Sequence, residues 1–211
     1  MPFGYLGDTS TKIKQVKKND GVISISENYE LEKLGHLGGK LELIQSQTIS
    51  SDTNIDFTSI QETKYDVHFL TYENMSMTAA SGNQIPFYRL SNDGGSTFES
   101  SNYESTGQFN TANGSTAVKL TTRTAYGHLC GHQQGSYKWS GYAYFYNLGN
   151  SSKYSLSTFQ SVGFYSADSS QSMTFGGSAY TVAETINAIR LSVDTTTLAS
   201  GTAKLYGVKE L

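Results

Sequence analysis

The stretch Lys138-Trp139-Ser140-Gly141-Tyr142-Ala143-Tyr144-Phe145-Tyr146 constrains the fold more than any other part of the 211-residue chain. Its period is two. Side chains of an extended strand leave on alternate faces, so Trp139, Gly141, Ala143 and Phe145 share one face, and Tyr142, Tyr144 and Tyr146 share the other. A helix would scatter both sets around its circumference. The pattern predicts a strand over Tyr137 to Tyr146, with one face in a core and the other a tyrosine stripe. The same period starts at Lys40-Leu41-Glu42-Leu43 and runs through Tyr65 to Leu70. It returns at Asn187 to Val193, where Ile189, Leu191 and Val193 face a core.

Turn signals separate these runs: Ser91-Asn92-Asp93-Gly94-Gly95-Ser96, Asn113-Gly114, Gly176-Gly177 and Ala199-Ser200-Gly201. Asn-Gly and Asp-Gly pairs supply the positive φ angles that tight hairpins need. Nine or ten strands are expected and no long helix. A parallel sheet needs helical crossovers, so this pattern selects an all-β, antiparallel β-sandwich of jelly-roll-like type. Ser and Thr make up roughly a quarter of the chain and Tyr is the commonest aromatic, a composition of half-buried strands and turns.

The opening segment reads differently. Residues 1–37 form a polar arm with a lysine cluster, Lys12, Lys14, Lys17 and Lys18, ahead of the acidic run Ser26-Glu27-Asn28-Tyr29-Glu30. Ser24 with Glu27 three residues later resembles a capping box, which predicts a short helix from about Glu27 to Leu34, stopped by Gly35. The arm is expected to be extended and partly helical and to dock the sandwich, residues 38–211, onto a partner or another copy. A frayed tail is the alternative.

Charge and cysteine content narrow the function. A net charge of −3 and a pI near 5.8 argue against a nucleic-acid binder that works by phosphate neutralisation. The single cysteine, Cys130, allows no intramolecular disulfide. No apolar run of signal-peptide or membrane-spanning length is present, so a soluble chain made in a cytoplasm is expected, without membrane insertion.

Catalytic signatures are missing from the sequence: it has no Gly-x-Ser-x-Gly elbow, no phosphate loop and no His-Glu-x-x-His. The expectation is a non-enzymatic protein without a cofactor. His128, Cys130 and His132 would share one face if their segment were extended, as part of a zinc or copper site, although a single strand holds i, i+2 and i+4 side chains parallel and about 7 Å apart. The flanking glycines favour a loop instead. Asn92-Asp93-Gly94-Gly95 is expected to be a hairpin turn and not a calcium loop, because the alternating oxygen ligands and closing Glu of an EF-hand do not follow. Tyr142, Tyr144 and Tyr146 suit a subunit contact, a sugar-stacking surface, or simple burial on both faces of a central strand.

Several segments together carry a resemblance. GVISISENYELEKLGHLGGKLELI (21–44), FYRLSNDGGSTF (87–98), YFYNLG (144–149) and INAIRLSVDTTTLASGTAKLYGVKEL (186–211) are similar to small virion structural or tail-fibre-type proteins of tailed bacteriophages of aquatic bacteria. The resemblance implies an exterior β-sandwich module carried by an N-terminal arm, often as a homotrimer. It implies assembly in the host cytoplasm, location in the virion, contact with other tail or capsid proteins, and contact with a host surface glycan. A tail-fibre or tail-appendage role is favoured over capsid decoration (cement), and a free carbohydrate-binding module is the remaining alternative. No catalytic or metal residue carries over from it.

Overall fold

The computed structural model describes residue 29 and residues 41–78, 84–114, 117–133, 137–165 and 170–209. The chain divides into two compact units, one of Met1–Lys40 with Glu210–Leu211 and one of Leu41–Lys209. The predicted arm lies outside the described residues, Tyr29 excepted. So do its helix over 27–34 and Lys12, Lys14, Lys17 and Lys18.

The Leu41–Lys209 unit is all-β. Among the described residues it has twelve strands: β1 (Leu41–Asp52), β2 (Asn54–Phe57), β3 (Val67–Met77), β4 (Pro86–Ser91), β5 (Tyr103–Thr111), β6 (Ala117–Thr124), β7 (Gly127–His128), β8 (Trp139–Tyr146), β9 (Tyr154–Phe164), β10 (Gln171–Ala183), β11 (Ala188–Val193) and β12 (Leu198–Val208). They form an eight-stranded sheet, ordered β1-β12-β3-β8-β9-β10-β5-β6, and a four-stranded sheet, ordered β2-β11-β4-β7. Every pairing is antiparallel.

The pairing is nested. β1 pairs with β12, β2 with β11, β3 with β8 and β4 with β7, so the first four strands meet the later ones in reverse order. Two hairpins interrupt the nest. β5–β6 comes between β4 and β7, and β9–β10 comes between β8 and β11. They join through β10–β5 and attach through β8–β9, which widens one sheet to eight strands.

The two sheets share one core in a sandwich-like arrangement. Phe57, Tyr88, Leu90, Ile189 and Leu191 come from the small sheet, and Leu70, Tyr72, Ala143, Phe145, Phe159 and Leu205 from the large one. The strand Trp139–Tyr146 buries Trp139, Ala143 and Phe145, and β11 buries Ile189, Leu191 and Val193, as the alternation predicts. Tyr72, Tyr88, Tyr103 and Tyr180, all fully buried, keep their hydroxyls bonded. Tyr72 donates to the Leu129 carbonyl (2.6 Å), Tyr103 accepts from the Leu90 amide (2.8 Å) and Tyr180 donates to Glu184 (2.6 Å). A ring buried with its polar tip satisfied contributes apolar area without stranding a hydroxyl.

Three expected turns need correction. Gly176-Gly177 lies in the middle of β10, not in a turn. Gly176 faces Gly107 across the β10–β5 pair, and a Cβ on Gly176 would sit 2.7 Å from the Gly107 Cα and against the Thr106 carbonyl. These glycines permit close backbone approach. Ala199-Ser200-Gly201 lies inside β12 at a register irregularity with β3, where Gly201 takes φ +136°. The glycine serves a bulge there. Asn92 to Gly95 is a turn, but β4 and β5 belong to different sheets, so no hairpin forms. Asp93 closes it by accepting from the Thr97 amide (2.9 Å) and hydroxyl (2.7 Å) and from Ser91 Oγ (2.7 Å). Those hydrogen bonds, Thr97's first, hold the Asp93 carboxyl at about 2. Asn113-Gly114 joins β5 to β6 as expected, with Gly114 at φ +70°.

Candidate functional site: the outer face of the large sheet

The side of the eight-stranded sheet away from the core gathers the tyrosine stripe. Tyr142, Tyr144 and Tyr146 all point outward from β8, with Tyr142 exposed and the other two half-buried. β3 adds Phe69, whose neighbours His68 and Leu70 turn inward with Tyr72, and β12 adds Tyr206. The Phe69 ring lies 4.6 Å from that of Tyr144, 5.9 Å from Tyr142 and 6.2 Å from Tyr206. The Tyr142 hydroxyl donates to Gln160 Oε1 (2.9 Å). Rings at these separations support one another on a pleated surface.

The adjoining β9–β10 hairpin inverts the usual polarity of a strand. On β9, Ser155, Ser157 and Ser161 are buried with Phe159, while Tyr154, Leu156, Val162 and Phe164 are exposed. On β10, Ser172, Thr174 and Ser178 are buried, while Met173 and Phe175 are exposed, at 42% and 44%. Several of the buried hydroxyls find partners on the inner side. Ser178 accepts from Ser105 (2.7 Å), Ser157 bonds Tyr88 (2.8 Å), and Thr174 accepts from the Gly131 amide (3.0 Å). Apolar side chains on the open face are the counterpart of that polar interior.

Two shallow concavities lie on this side. One, of about 370 Å³, runs between Phe69, Tyr142, Gln160, Val162 and Met173, with Glu73 at its margin. The other, of about 610 Å³, lies over Thr106, Thr121, Tyr146, Leu156, Thr158 and Gly177.

His128, Cys130 and His132 do not share a strand face, because β7 ends at His128 and the chain bends from Leu129 to Gly131. The Cys130 sulfur, fully buried, accepts from Ser161 Oγ (3.0 Å) and Gln133 Nε2 (3.2 Å). Burial pushes its thiol up to about 11. Burial first, and the neighbouring His132 second, hold His128 down at about 4, and burial lowers His132 as well. The His128 ring packs edge-on to Tyr126 and the His132 ring edge-on to Phe109. Among the described residues no group of three or more His, Cys, Asp or Glu could hold a metal ion. No helix among them is long and apolar enough to cross a membrane.

Sequence reasoning found the tyrosines of β8 and missed Phe69, Tyr206 and the outward apolar residues of β9 and β10. Alternation shows that two faces differ, yet it does not say which faces the core. The signal in β9 was the serine period itself, Ser155, Ser157 and Ser161, which resembles a polar exterior. No family model, curated protein or solved structure matches this chain.

Proposed function

We propose that this protein is a non-enzymatic structural module of a bacteriophage virion, an exterior tail-fibre or tail-appendage component docked through residues 1–37, with a jelly-roll sandwich as its body. The nested order, β1 to β4 paired in reverse with β12, β11, β8 and β7, is that of a jelly roll, an architecture used in capsid and lectin domains. The observation that carries the reading is the polarity of the large sheet: hydroxyls are buried in β9 and β10 while aromatic and aliphatic residues are exposed. Surfaces of that kind are made for contact. The buried nucleophile and histidines are held in neutral, low-reactivity forms, as suits a structural role. Many copies on one particle make weak single contacts sufficient for attachment.

The test is to locate the chain in purified particles by density mapping and to count copies. Density on the tail supports the appendage role. Density over the capsid lattice moves the protein to decoration, and absence from particles refutes the virion reading. Replacing Lys12, Lys14, Lys17 and Lys18 by Glu abolishes incorporation if the arm docks the module.

A carbohydrate-binding reading has one observation of its own: the groove beside Tyr142 combines an exposed ring with Glu73, Gln160 and Gln171, groups that can stack on and hydrogen-bond a sugar. Binding to a glycan array by a monomer, lost in Tyr142→Ala, supports it.

A further inference from the structure

One row of residues crosses the outer face through all eight strands. From β1 to β6 the paired positions are Leu43, Tyr206, Phe69, Tyr144, Thr158, Gly177, Thr106 and Thr121. The first four are large and apolar or aromatic, the last four are small, and none is charged. The step from large to small falls between β8 and β9, at the middle of the sheet. The large half is the aromatic ridge. The small half is the floor of the 610 Å³ valley, where Gly177 removes the side chain altogether.

We infer that this face is an interface between two copies of the chain, related by a two-fold axis that runs along the β8–β9 boundary, close to the strand direction. Such an axis exchanges the two halves of the sheet. It sets Tyr144 over the partner's Thr158, Phe69 over the partner's Gly177, Tyr206 over the partner's Thr106 and Leu43 over the partner's Thr121. Each large residue meets a small one, and the reciprocal contacts follow from the symmetry, as an isologous interface requires.

In the neighbouring rows no like charges meet, while Tyr142 and Tyr146 face the partner's Gln160 and Leu156. The next row reads Ser46, Lys204, Thr71, Tyr142, Gln160, Phe175, Gln108 and Lys119. The axis puts Phe175 over Thr71, Lys204 over Gln108 and Lys119 over Ser46, so no like charges meet. On the other side, Val67 meets Ala179 and Tyr146 meets Leu156. The charges sit toward the ends of the rows, which matches the polar rim and uncharged centre of protein interfaces.

The size is right for a stable contact. Eight strands at about 4.8 Å by three rows at about 6.7 Å cover about 770 Å² per copy. A standard interface buries about 800 Å² per partner. A sugar would occupy only the groove beside Tyr142, leaving Leu156 and Phe175 in water. A second copy covers Tyr142, Tyr144 and Tyr146 of β8, Leu156 of β9 and Phe175 of β10 at once. The inference does not depend on the virion role, since it concerns the free chain.

Light scattering on the full chain tests it. Wild type is expected at twice the 23.0 kDa chain mass at micromolar concentration. Thr106→Asp and Tyr206→Lys are each expected to weaken dimerisation at least tenfold while keeping the wild-type circular dichroism spectrum. Mixed in equal amounts, they are expected to restore a dimer: one contact is then wild type, and the other sets the introduced lysine of one copy against the introduced aspartate of its partner. Leu43→Lys with Thr121→Asp repeats the test on edge positions, where a substitution is tolerated by the fold. A monomeric wild type overturns the inference. A trimeric mass, as the family resemblance implied, overturns the two-fold arrangement, and so does failure of both mixtures to re-form a dimer.

Discussion

The Tyr88 hydroxyl, from the small sheet, hydrogen-bonds Ser157 Oγ of the large sheet at 2.8 Å across the buried core. The same ring meets Phe145 edge-on at 4.9 Å and Tyr103 edge-on at 6.1 Å. One residue therefore ties β4 to β8 and to the inserted β9. Tyr88→Phe keeps the ring and strands Ser157 without this partner. A buried polar group that loses its bond costs about 1 to 3 kcal/mol. Chemical denaturation is expected to show a lower midpoint with an unchanged slope, since the exposed area on unfolding is the same.

Glycines in the middle of the large sheet are expected to be less replaceable than the glycine in its turn. Gly107→Ala puts a Cβ 2.6 Å from the Phe175 carbonyl oxygen, against backbone that cannot retreat without breaking the β10–β5 pairing. Gly114→Ala meets nothing within 4 Å and bears only the strain of φ +70°. The turn substitution is expected to cost about 1 kcal/mol. The sheet substitution is expected to cost at least twice as much, or to prevent folding, as thermal unfolding of the two variants will show.

Stability is expected to fall on mild acidification. Burial holds His128 at about 4 in the folded chain, against an ordinary value near 6.5. As pH drops below 6.5 the unfolded chain takes up a proton that the folded chain refuses, so stability is full above 6.5 and is lost as pH falls toward 4. Burial moves His68 and His132 in the same direction, which steepens the loss. Unfolding free energies between pH 7 and pH 4 check this. His128→Gln is expected to flatten the slope by one proton, whatever it does to stability at pH 7.

Cys130 is expected to resist thiol reagents in the folded chain. It is fully buried, its sulfur accepts two hydrogen bonds, and burial puts its thiol near 11, so thiolate is scarce at neutral pH. Reaction with a chromogenic disulfide at pH 7.5 should follow the rate of opening and become fast in denaturant. Prompt native-state labelling would refute this placement.

Much of the body was legible in the sequence because period-two alternation is a local property of an extended chain. It marked Trp139, Ala143 and Phe145 as core and Tyr142, Tyr144 and Tyr146 as the opposite face, and β11 was equally clear. Glycine was an ambiguous signal. At Asn113-Gly114 it marked a turn, whereas at Gly176-Gly177 it marked a seam, because a missing Cβ serves positive φ and close backbone approach alike.

Strand class, antiparallel character and the residues able to alternate all follow from backbone geometry within a few residues, so the order of amino acids suffices for them. Which face of β9 and β10 lies inside is a different matter. Ser157 and Ser161 are buried against Tyr88 and Cys130, residues far away in the chain, and no local pattern reports such partners. The row from Leu43 to Thr121 is likewise a product of strand order, for its eight residues come from eight strands and become neighbours only when the sheet assembles.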